Sequence, residues 1–349
     1  MPETLAGAGV DVSAGANSGW QAGNHSQLAR RFVIVGFVLY LAGVTAFILA
    51  HGRFPTVDYL VPALFLFAIL MGRGRSFFID WAPFVIILLA YEQARGLADT
   101  FSYKVHDQDL IEYEAALFGS PIPTLRLQEW LYTPGHVMPW DVLAALFYML
   151  HFVTPVGVGF WIWTRDRRLY WRYILGFLGM CYAGFATYVF YPAMPPWLAA
   201  RVGLLPPVHN VFGVVLRDFT PFEPFYTVYE NIDHNVVAAM PSLHVAFPIF
   251  IAMTLIHLTS GRVRWLALLY PVFVTLSVVY LGHHYVIDGI AGLVYALVFY
   301  WLTWMMPEQA GRLWARLREA RQPPRSVIPE VGYTLDGLEA AGEAQVRPR

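Results

Sequence analysis

The sequence predicts an all-α, polytopic membrane protein, and two observations lead to that prediction. Hydrophobic residues make up 57% of the 349-residue chain, whereas charged residues make up only 13%, a balance outside the range of soluble domains. The apolar residues are also gathered into runs that approach the roughly 20 residues a helix needs to cross a bilayer. The net charge of −1 gives no indication of a nucleic-acid partner, and none is expected.

Eight apolar runs are predicted to cross the membrane. Three of them are short or contain a proline, namely those with Pro62, Pro83 and Pro248, so six or seven full crossings with one re-entrant segment is the alternative. In chain order the eight runs are 32–50, 57–72, 77–91, 141–163, 170–191, 243–260, 265–282 and 285–306.

The basic residues predict how these helices are oriented, because cytoplasmic loops retain Lys and Arg during insertion. With the N-terminus inside, all but six of the 23 Lys and Arg residues fall in cytoplasmic segments. Both termini are therefore predicted to be cytoplasmic, and the protein is expected in the cell membrane. The six exceptions are Arg53, Arg95, Lys104, Arg126, Arg201 and Arg217.

The ends of the chain differ from the membrane domain, which is predicted to span residues 30–306. Residues 1–29 are rich in Gly, Ala and Ser and are predicted to be a disordered tail. Residues 307–349 are predicted to form an Arg-rich cytoplasmic helix, to about Arg321, and then a loose tail. Cys181 is the only cysteine and lies in an apolar run, so no disulfide or thiolate metal site is expected.

Two long segments on the non-cytoplasmic side, 92–140 and 192–242, are too apolar to be free linkers and are predicted to pack as a cap. Within the first, Leu125, Leu127, Trp130 and Leu131 are spaced as on an amphipathic helix. We expect the helix from Pro121 to Tyr132 to lie at the membrane interface.

The first segment that indicates chemistry is Met240-Pro241-Ser242-Leu243-His244, where a polar loop meets an apolar run. Ser242 is a favourable N-cap, which places His244 in the first turn of the following helix. Free backbone N–H groups and the helix dipole favour an anion such as phosphate there. The alternative is a simple cap followed by an interfacial histidine.

The second segment is 282–288, with the sequence Gly-His-His-Tyr-Val-Ile-Asp. His284 and Asp288 are four residues apart at the start of the last apolar run, so they are expected to share a helical face, with the carboxylate holding one ring nitrogen. An aspartate at membrane depth is costly without a function or a partner. His283 is the weaker candidate.

These residues resemble the motifs of the type 2 phosphatidic acid phosphatase superfamily. Residues 241–244, Pro-Ser-Leu-His, match its second motif, Pro-Ser-Gly-His, with Leu243 in place of glycine. Ser277, His284 and Asp288 match the third motif, in which Val278 replaces the usual arginine. The Lys and Arg-Pro pattern of the first motif is absent from the sequence, so the usual phosphate clamp is missing.

The departures are similar to the inositol phosphorylceramide synthase branch, the aureobasidin-resistance type, in which Met-Pro-Ser-Leu-His and a His-His-Tyr before the Asp are typical. The stretches Tyr191 to Trp197 and Arg95 to Asp99 also resemble that branch. The resemblance covers about residues 75–305 and implies a six-helix phosphatase-type core.

The resemblance further implies a reaction through a phosphohistidine, without metal or cofactor. His284 would be the nucleophile, Asp288 would stabilise its charged ring, and His244 would protonate the leaving alcohol. The partners implied are a membrane lipid substrate and a lipid or polyol acceptor, at a site on the non-cytoplasmic face.

Four further residues are expected to bind substrate. Ser242 lies at the predicted anion site, and Arg95 is favoured to neutralise the phosphate, although a plain salt bridge with Asp99 would explain it equally well. Tyr191 and Trp197 are candidates for lipid or headgroup binding, the alternative being a helix stop with an interfacial tryptophan.

Three functions agree with these features. A transferase that moves a phosphorylated headgroup between lipids is preferred, because the motif departures favour that branch. A lipid phosphate or prenyl diphosphate phosphatase would differ only in admitting water as acceptor. A proton-coupled transporter is third, since the last two spans have no inverted-repeat partner in the first half.

Overall fold

The computed structural model describes residues 57–101, 105–106, 108–219 and 237–321. The predicted N-terminal tail, 1–29, the predicted first span, 32–50, and the predicted loose tail after Arg321 lie outside these ranges. All regular elements in the described residues are helical. They are α1 (Val57–Leu70), α2 (Gly74–Phe101), α3 (Gln108–Phe118), α4 (Pro123–Leu131), α5 (Pro139–Arg165), α6 (Arg167–Phe190), α7 (Pro196–Arg201), α8 (Val211–Asp218), α9 (Leu243–Leu258), a 3-10 helix (Arg262–Leu268), α10 (Leu269–Tyr280), α11 (Val286–Tyr300), a π-helical turn (Trp301–Met305) and α12 (Met306–Arg321).

By length and apolar composition, five stretches of helix can cross a membrane. They are Gly74–Ala94, Pro139–Arg165, Arg167–Phe190, Arg262–Tyr280 and Val286–Arg318, while Leu60–Leu70 and Leu243–Leu258 are shorter apolar helices. The protein is therefore an all-α, multi-pass membrane protein. Seven of the eight predicted spans coincide with these helices.

The helix that contains the third predicted span, 77–91, extends beyond it at both ends. Helix α2 runs for 28 residues and contains Pro83 within it. Polar residues such as Glu92 end the apolar run before the helix ends, so hydropathy alone underestimated its length. Pro62 and Pro248 likewise lie inside α1 and α9, because neighbouring helices at membrane depth can satisfy the backbone groups that a proline frees.

Helices α2, α5, α6, α9, α10 and α11 pack side by side, and α1 packs on α2 and α5. Asp166 alone separates α5 from α6, and its carboxylate accepts the backbone N–H groups of Arg168 and Leu169. This single-residue connection reverses the chain, so the C-terminal end of α5 lies beside the N-terminal start of α6.

A buried carboxylate ties three helices together at this end of the bundle. Asp80 of α2 accepts from the indole N–H of Trp163, at 2.9 Å, and from Nε of Arg167, at 2.5 Å. Arg73 lies over the Trp163 ring, with 4.1 Å between its Cζ and the ring centroid. A buried aspartate with a charged and a neutral donor is satisfied, so this cluster has a structural explanation.

The α9–α11 contact brings the two motif segments together. A side chain at Gly292 of α11 would overlap the carbonyl oxygen of Ser242, just before α9. The Ser242 N–H also donates to the carbonyl of Asp288, at 3.0 Å. Because glycine lets two backbones approach closely, the starts of α9 and α11 are joined main chain to main chain.

The connecting segments pack over the end of the bundle where α9 and α11 begin. Leu110, Ile122 and Leu125 form one buried cluster with residues of the later segment, among them Ala239 and Tyr285. Short backbone bridges pair His106 with Ala193, and Ala193 with Ala238, in parallel. In the described residues, the two predicted cap segments therefore pack together.

The chain divides into two compact units, Met1–Met305 and Met306–Arg349. In the second unit the structure describes α12, which exposes Leu313, Trp314 and Leu317. Three arginines alternate with these apolar residues along the helix, at positions 312, 316 and 318.

Candidate active site

His284 lies in the turn between α10 and α11, and the backbone there is set by Gly282. Gly282 has a φ of +82°, and a Cβ at this position would lie 2.8 Å from the carbonyl oxygen of His209. Only glycine adopts that conformation in that space without strain. The Gly282 carbonyl accepts from the N–H of Trp197 at 3.0 Å, so the cap fixes the turn.

The two ring nitrogens of His284 have different partners. Nδ1 lies 2.9 Å from the carbonyl oxygen of Ala239 and 3.4 Å from Oδ2 of Asp288. A carbonyl oxygen only accepts, so the hydrogen resides on Nδ1. In the neutral ring Nε2 then carries an unprotonated lone pair, which is the form that can attack phosphorus.

Asp288 is fully buried and is the third residue of α11. Its Oδ2 accepts the backbone N–H of Tyr285 at 2.8 Å, which makes Tyr285 the N-cap. The expectation that His284 and Asp288 share a helical face was therefore wrong. The helix begins at Val286, because the carboxylate caps it from within, and His284 precedes the cap while remaining in ion-pair range of Asp288.

His244 is the second residue of α9, as expected, with Ser242 at the N-cap position. Its Nδ1 lies 3.1 Å from Nε2 of His284. Since Nε2 of neutral His284 accepts, Nδ1 of His244 donates in this contact. The structure thus brings together His244, His284 and Asp288, with a transferable hydrogen aimed at the nucleophilic nitrogen.

Ser242 is fully buried, and its Oγ has no hydrogen-bond partner among the described residues. The serine does not cap its helix through its side chain. A buried hydroxyl without a partner is costly, so a donor beside the first turn of α9 remains available for a substrate oxygen.

One face of α5 encloses the His244 ring, which sequence reasoning missed. The rings of Tyr148 and His151, one helical turn apart, lie 4.5 Å and 4.2 Å from that ring, centroid to centroid. His151 also stacks on Phe247. No motif marks this face; only the i, i+3 spacing of two polar aromatic residues in an apolar helix gave a signal.

His283 has a structural role in this arrangement. Its Nε2 donates to Oδ1 of Asn210 at 3.2 Å, and the same oxygen accepts the N–H of Gly213. Burial, with a smaller contribution from His284, lowers the pKa of His283 to about 3. The ring is therefore neutral and supplies no charge to a bound phosphate.

Two buried polar side chains from the cap also hold the site, and neither was predicted. Gln128 of α4 donates to the carbonyls of Tyr280 and His209 and accepts the His209 N–H. Glu114 of α3 accepts the N–H groups of Val286 and Ile287. Both lie more than 80 residues from their partners, so local sequence patterns could not reveal them.

The remaining predicted residues lie around this centre. Tyr191 stacks on the imidazole of His106, with centroids 3.8 Å apart, and burial raises the pKa of its hydroxyl. Trp197 is half-buried and contacts the turn through its backbone N–H, as described above. The structure thus places both residues in the cap.

Arg95 lies on α2, but its side chain is outside the part of the chain that the structure describes. Among the described arginines of this end, Arg126 donates to the carbonyl of Phe118, and Arg217 is paired with Asp218. Within the described residues, no group of three or more His, Cys, Asp or Glu side chains is arranged to hold a metal ion.

A family profile and two similar proteins indicate the same family for this chain. The profile of the PAP2 superfamily matches residues 108–302. The chain is similar to phosphoinositol dihydroceramide synthase from Bacteroides thetaiotaomicron, with 29% identity over 261 residues, covering 68% of this chain and 81% of that protein. It is also similar to the inositol phosphorylceramide synthase catalytic subunit aur1 of Schizosaccharomyces pombe, with 23% identity over 246 residues, covering 68% of this chain and 56% of that protein. No solved structure gives a significant match.

Proposed function

The chain belongs to the PAP2 superfamily, and from that premise we propose that it is a membrane phosphotransferase that moves a phosphorylated headgroup between lipids through a phosphohistidine on His284. Both relatives are named as synthases of phosphoinositol-bearing ceramide-type lipids. The substrate pair we propose is therefore an inositol phospholipid as donor and the hydroxyl of a ceramide-type lipid as acceptor.

The observation that carries the proposal is the contact between His244 Nδ1 and His284 Nε2, at 3.1 Å. The Ala239 carbonyl keeps the hydrogen on the far nitrogen of His284, so the near nitrogen presents its lone pair. A phosphate that displaces this hydrogen bond and separates the two rings meets a nucleophile on one side and a proton donor on the other.

In the first half-reaction, Nε2 of His284 forms a bond to phosphorus while the bond from phosphorus to the donor's glycerol oxygen breaks. That oxygen takes the proton from His244. The phosphorylated ring is then cationic, with its remaining hydrogen on Nδ1 between the Ala239 carbonyl and Asp288. The buried carboxylate stabilises this charge as it develops.

In the second half-reaction, His244 removes the proton from the acceptor hydroxyl. The hydroxyl oxygen attacks phosphorus, the bond between nitrogen and phosphorus breaks, and neutral His284 is regenerated. The two steps restore both histidines to their starting protonation. If water replaced the lipid hydroxyl, the same residues would release inositol phosphate from this donor, and with a lipid phosphate monoester they would release inorganic phosphate, which is the phosphatase reaction.

The negative charge on the phosphoryl oxygens also requires neutralisation. The buried Ser242 hydroxyl and the first turn of α9 supply donors, with the positive end of the helix dipole behind them. Arg95 is our candidate for the cation, and Tyr191 and Trp197 are the candidates for headgroup contacts in the cap. We further propose that this end of the bundle is the non-cytoplasmic one.

The test is to reconstitute the protein in vesicles that contain a ceramide and phosphatidylinositol labelled in its inositol phosphate. Label that moves to the ceramide in the wild type and not in His284→Ala supports the proposal. Label released as soluble inositol phosphate indicates a phosphodiester hydrolase, and an unchanged donor contradicts both activities. His136→Ala is the matched control, because His136 is an exposed loop residue.

A further inference from the structure

We propose that Glu114 is a positioning residue for the transfer reaction, which holds the first turn of α11 in register with the His284 nucleophile. The inference rests on the proposed function, since it assigns a role relative to His284. Glu114 belongs to α3, well before both motif segments, and it is not one of the motif residues on which the sequence resemblance rests.

Each carboxylate oxygen of Glu114 accepts one backbone hydrogen bond from the start of α11. Oε1 accepts the N–H of Val286 at 2.9 Å, and Oε2 accepts the N–H of Ile287 at 3.0 Å. The side chain is completely buried. The first N–H groups of a helix have no partner within the helix, so a single carboxylate that takes two of them fixes both the position and the direction of that turn.

This arrangement closes the start of α11 to other anions. The N–H of Tyr285 is taken by Asp288, and the next two are taken by Glu114. The three donors that could have bound a substrate phosphate are therefore occupied by carboxylates. A phosphate is directed instead to the start of α9, on the side of the His284 ring that faces His244.

Glu114 also adds a second buried negative charge near the catalytic pair. Among the described residues, Asp288 is the titratable group that acts on it from the neighbouring segment. Burial raises the pKa of Glu114, the two backbone N–H bonds oppose that shift, and the nearby Asp288 adds to it. On acidification Glu114 therefore takes up a proton at a pH above that of an ordinary glutamate and loses its hold on the helix.

The experiment compares Glu114→Gln with Glu112→Gln in the full-length protein, using the labelled headgroup transfer. Glu112 lies on the same helix but is exposed, so it controls for the change of charge. We expect Glu114→Gln to lower kcat by roughly tenfold or more through misplacement of the nucleophile, with the KM for the donor lipid little changed. The acidic limb of its pH–rate profile should be shallower than that of the wild type, because one fewer group must be deprotonated.

A second variant tests the same contact from the helix. Val286→Pro removes one donor but keeps the Glu114 charge, and proline suits the first helical position. Tyr285, with φ −74° and ψ 161°, already has the conformation that a following proline requires. We expect a fall in kcat smaller than that of Glu114→Gln.

A folded Glu114→Gln or Val286→Pro protein with wild-type kcat and an unchanged acidic limb overturns the positioning role. If Glu114→Gln is not recovered folded, Val286→Pro decides the matter alone. A wild-type protein that transfers no label would instead contradict the proposed function itself, so the two failures are distinguishable.

Discussion

At the scale of single residues, the atoms that fix the geometry of the site differ from the atoms that take part in the reaction. The Nδ1 atom of His284 is held by a backbone carbonyl and a carboxylate, while Nε2 faces His244. His283, the adjacent residue in sequence, is turned toward Asn210 and is neutral. Two neighbouring histidines thus differ in role, because His283 donates a structural hydrogen bond whereas His284 presents a lone pair.

The first prediction concerns His284, which attacks phosphorus, and Asp288, which stabilises the positive charge of the phosphorylated ring. His284→Ala should abolish headgroup transfer. Asp288→Asn should lower kcat by about 10²-fold or more, because the cationic intermediate loses its counter-charge while the amide oxygen still caps Tyr285. Transfer rates and gel-filtration profiles of both purified variants would test this. Near-wild-type turnover by either folded variant would contradict the mechanism.

A second prediction uses the neutrality of His283. Its pKa is lowered to about 3 by burial, so its charge does not change above that value. His283→Gln, which retains a donor for Asn210, should leave the shape of the pH–rate profile unchanged between about pH 5 and pH 8, the range in which an ordinary histidine titrates. A displaced or lost limb in this variant would show that His283 titrates during the reaction after all.

At the scale of helices, two starts placed side by side build the site. The α9 start carries Ser242 and His244, the α11 start carries Asp288, and the close approach at Gly292 joins them. The third prediction follows from that approach. Gly292→Ala should cost about 1–3 kcal/mol of stability through overpacking and should reduce transfer by more than about tenfold as His244 moves from His284.

The matched control for Gly292→Ala is Gly289→Ala, almost one turn earlier on the same helix. A Cβ at Gly289 would make an ordinary contact, 3.5 Å from a methyl carbon of Val245. This variant should keep its activity and melting temperature. Equal behaviour of the two variants in a thermal unfolding assay would show that the close approach is not needed.

Features that depend on residues close together in the sequence could be predicted, whereas features that depend on contacts between distant segments could not. The apolar runs predicted seven of the spans, and the N-cap position of Ser242 was correct, because both are local properties. The membership of the superfamily, predicted from the two motifs, is confirmed. The start of α11 was misplaced because Asp288 caps it from inside, and the contributions of Glu114, Gln128 and Ala239 depend on contacts between segments far apart in the chain.

At the scale of the whole molecule, the bundle has two chemically different ends. One end carries the histidines under the cap, and the other carries the Asp80 cluster with Trp163 and Arg167. The excess of arginine at the second end led to the prediction that it faces the cytoplasm. The non-cytoplasmic position that we propose for the site rests on this asymmetry.

The fourth prediction tests the orientation with single introduced cysteines. Thr133→Cys places a cysteine in an exposed loop at the histidine end. Ser260→Cys places one in an exposed loop at the other end. The native Cys181 is buried and gives little background. A membrane-impermeant maleimide added to intact cells should label position 133 and not position 260. The opposite pattern would place the site in the cytoplasm.

The hydrogen bond from His284 to the carbonyl of Ala239 has an evolutionary consequence. Its acceptor belongs to the main chain, so a change of side chain at residue 239 does not delete it. Mutational drift at that position is free of this constraint as long as the backbone pairing of the 192–194 and 237–239 segments persists. Selection on the tautomer of the nucleophile would then act on the path of the backbone rather than on the identity of a residue, and conservation scores would overlook it.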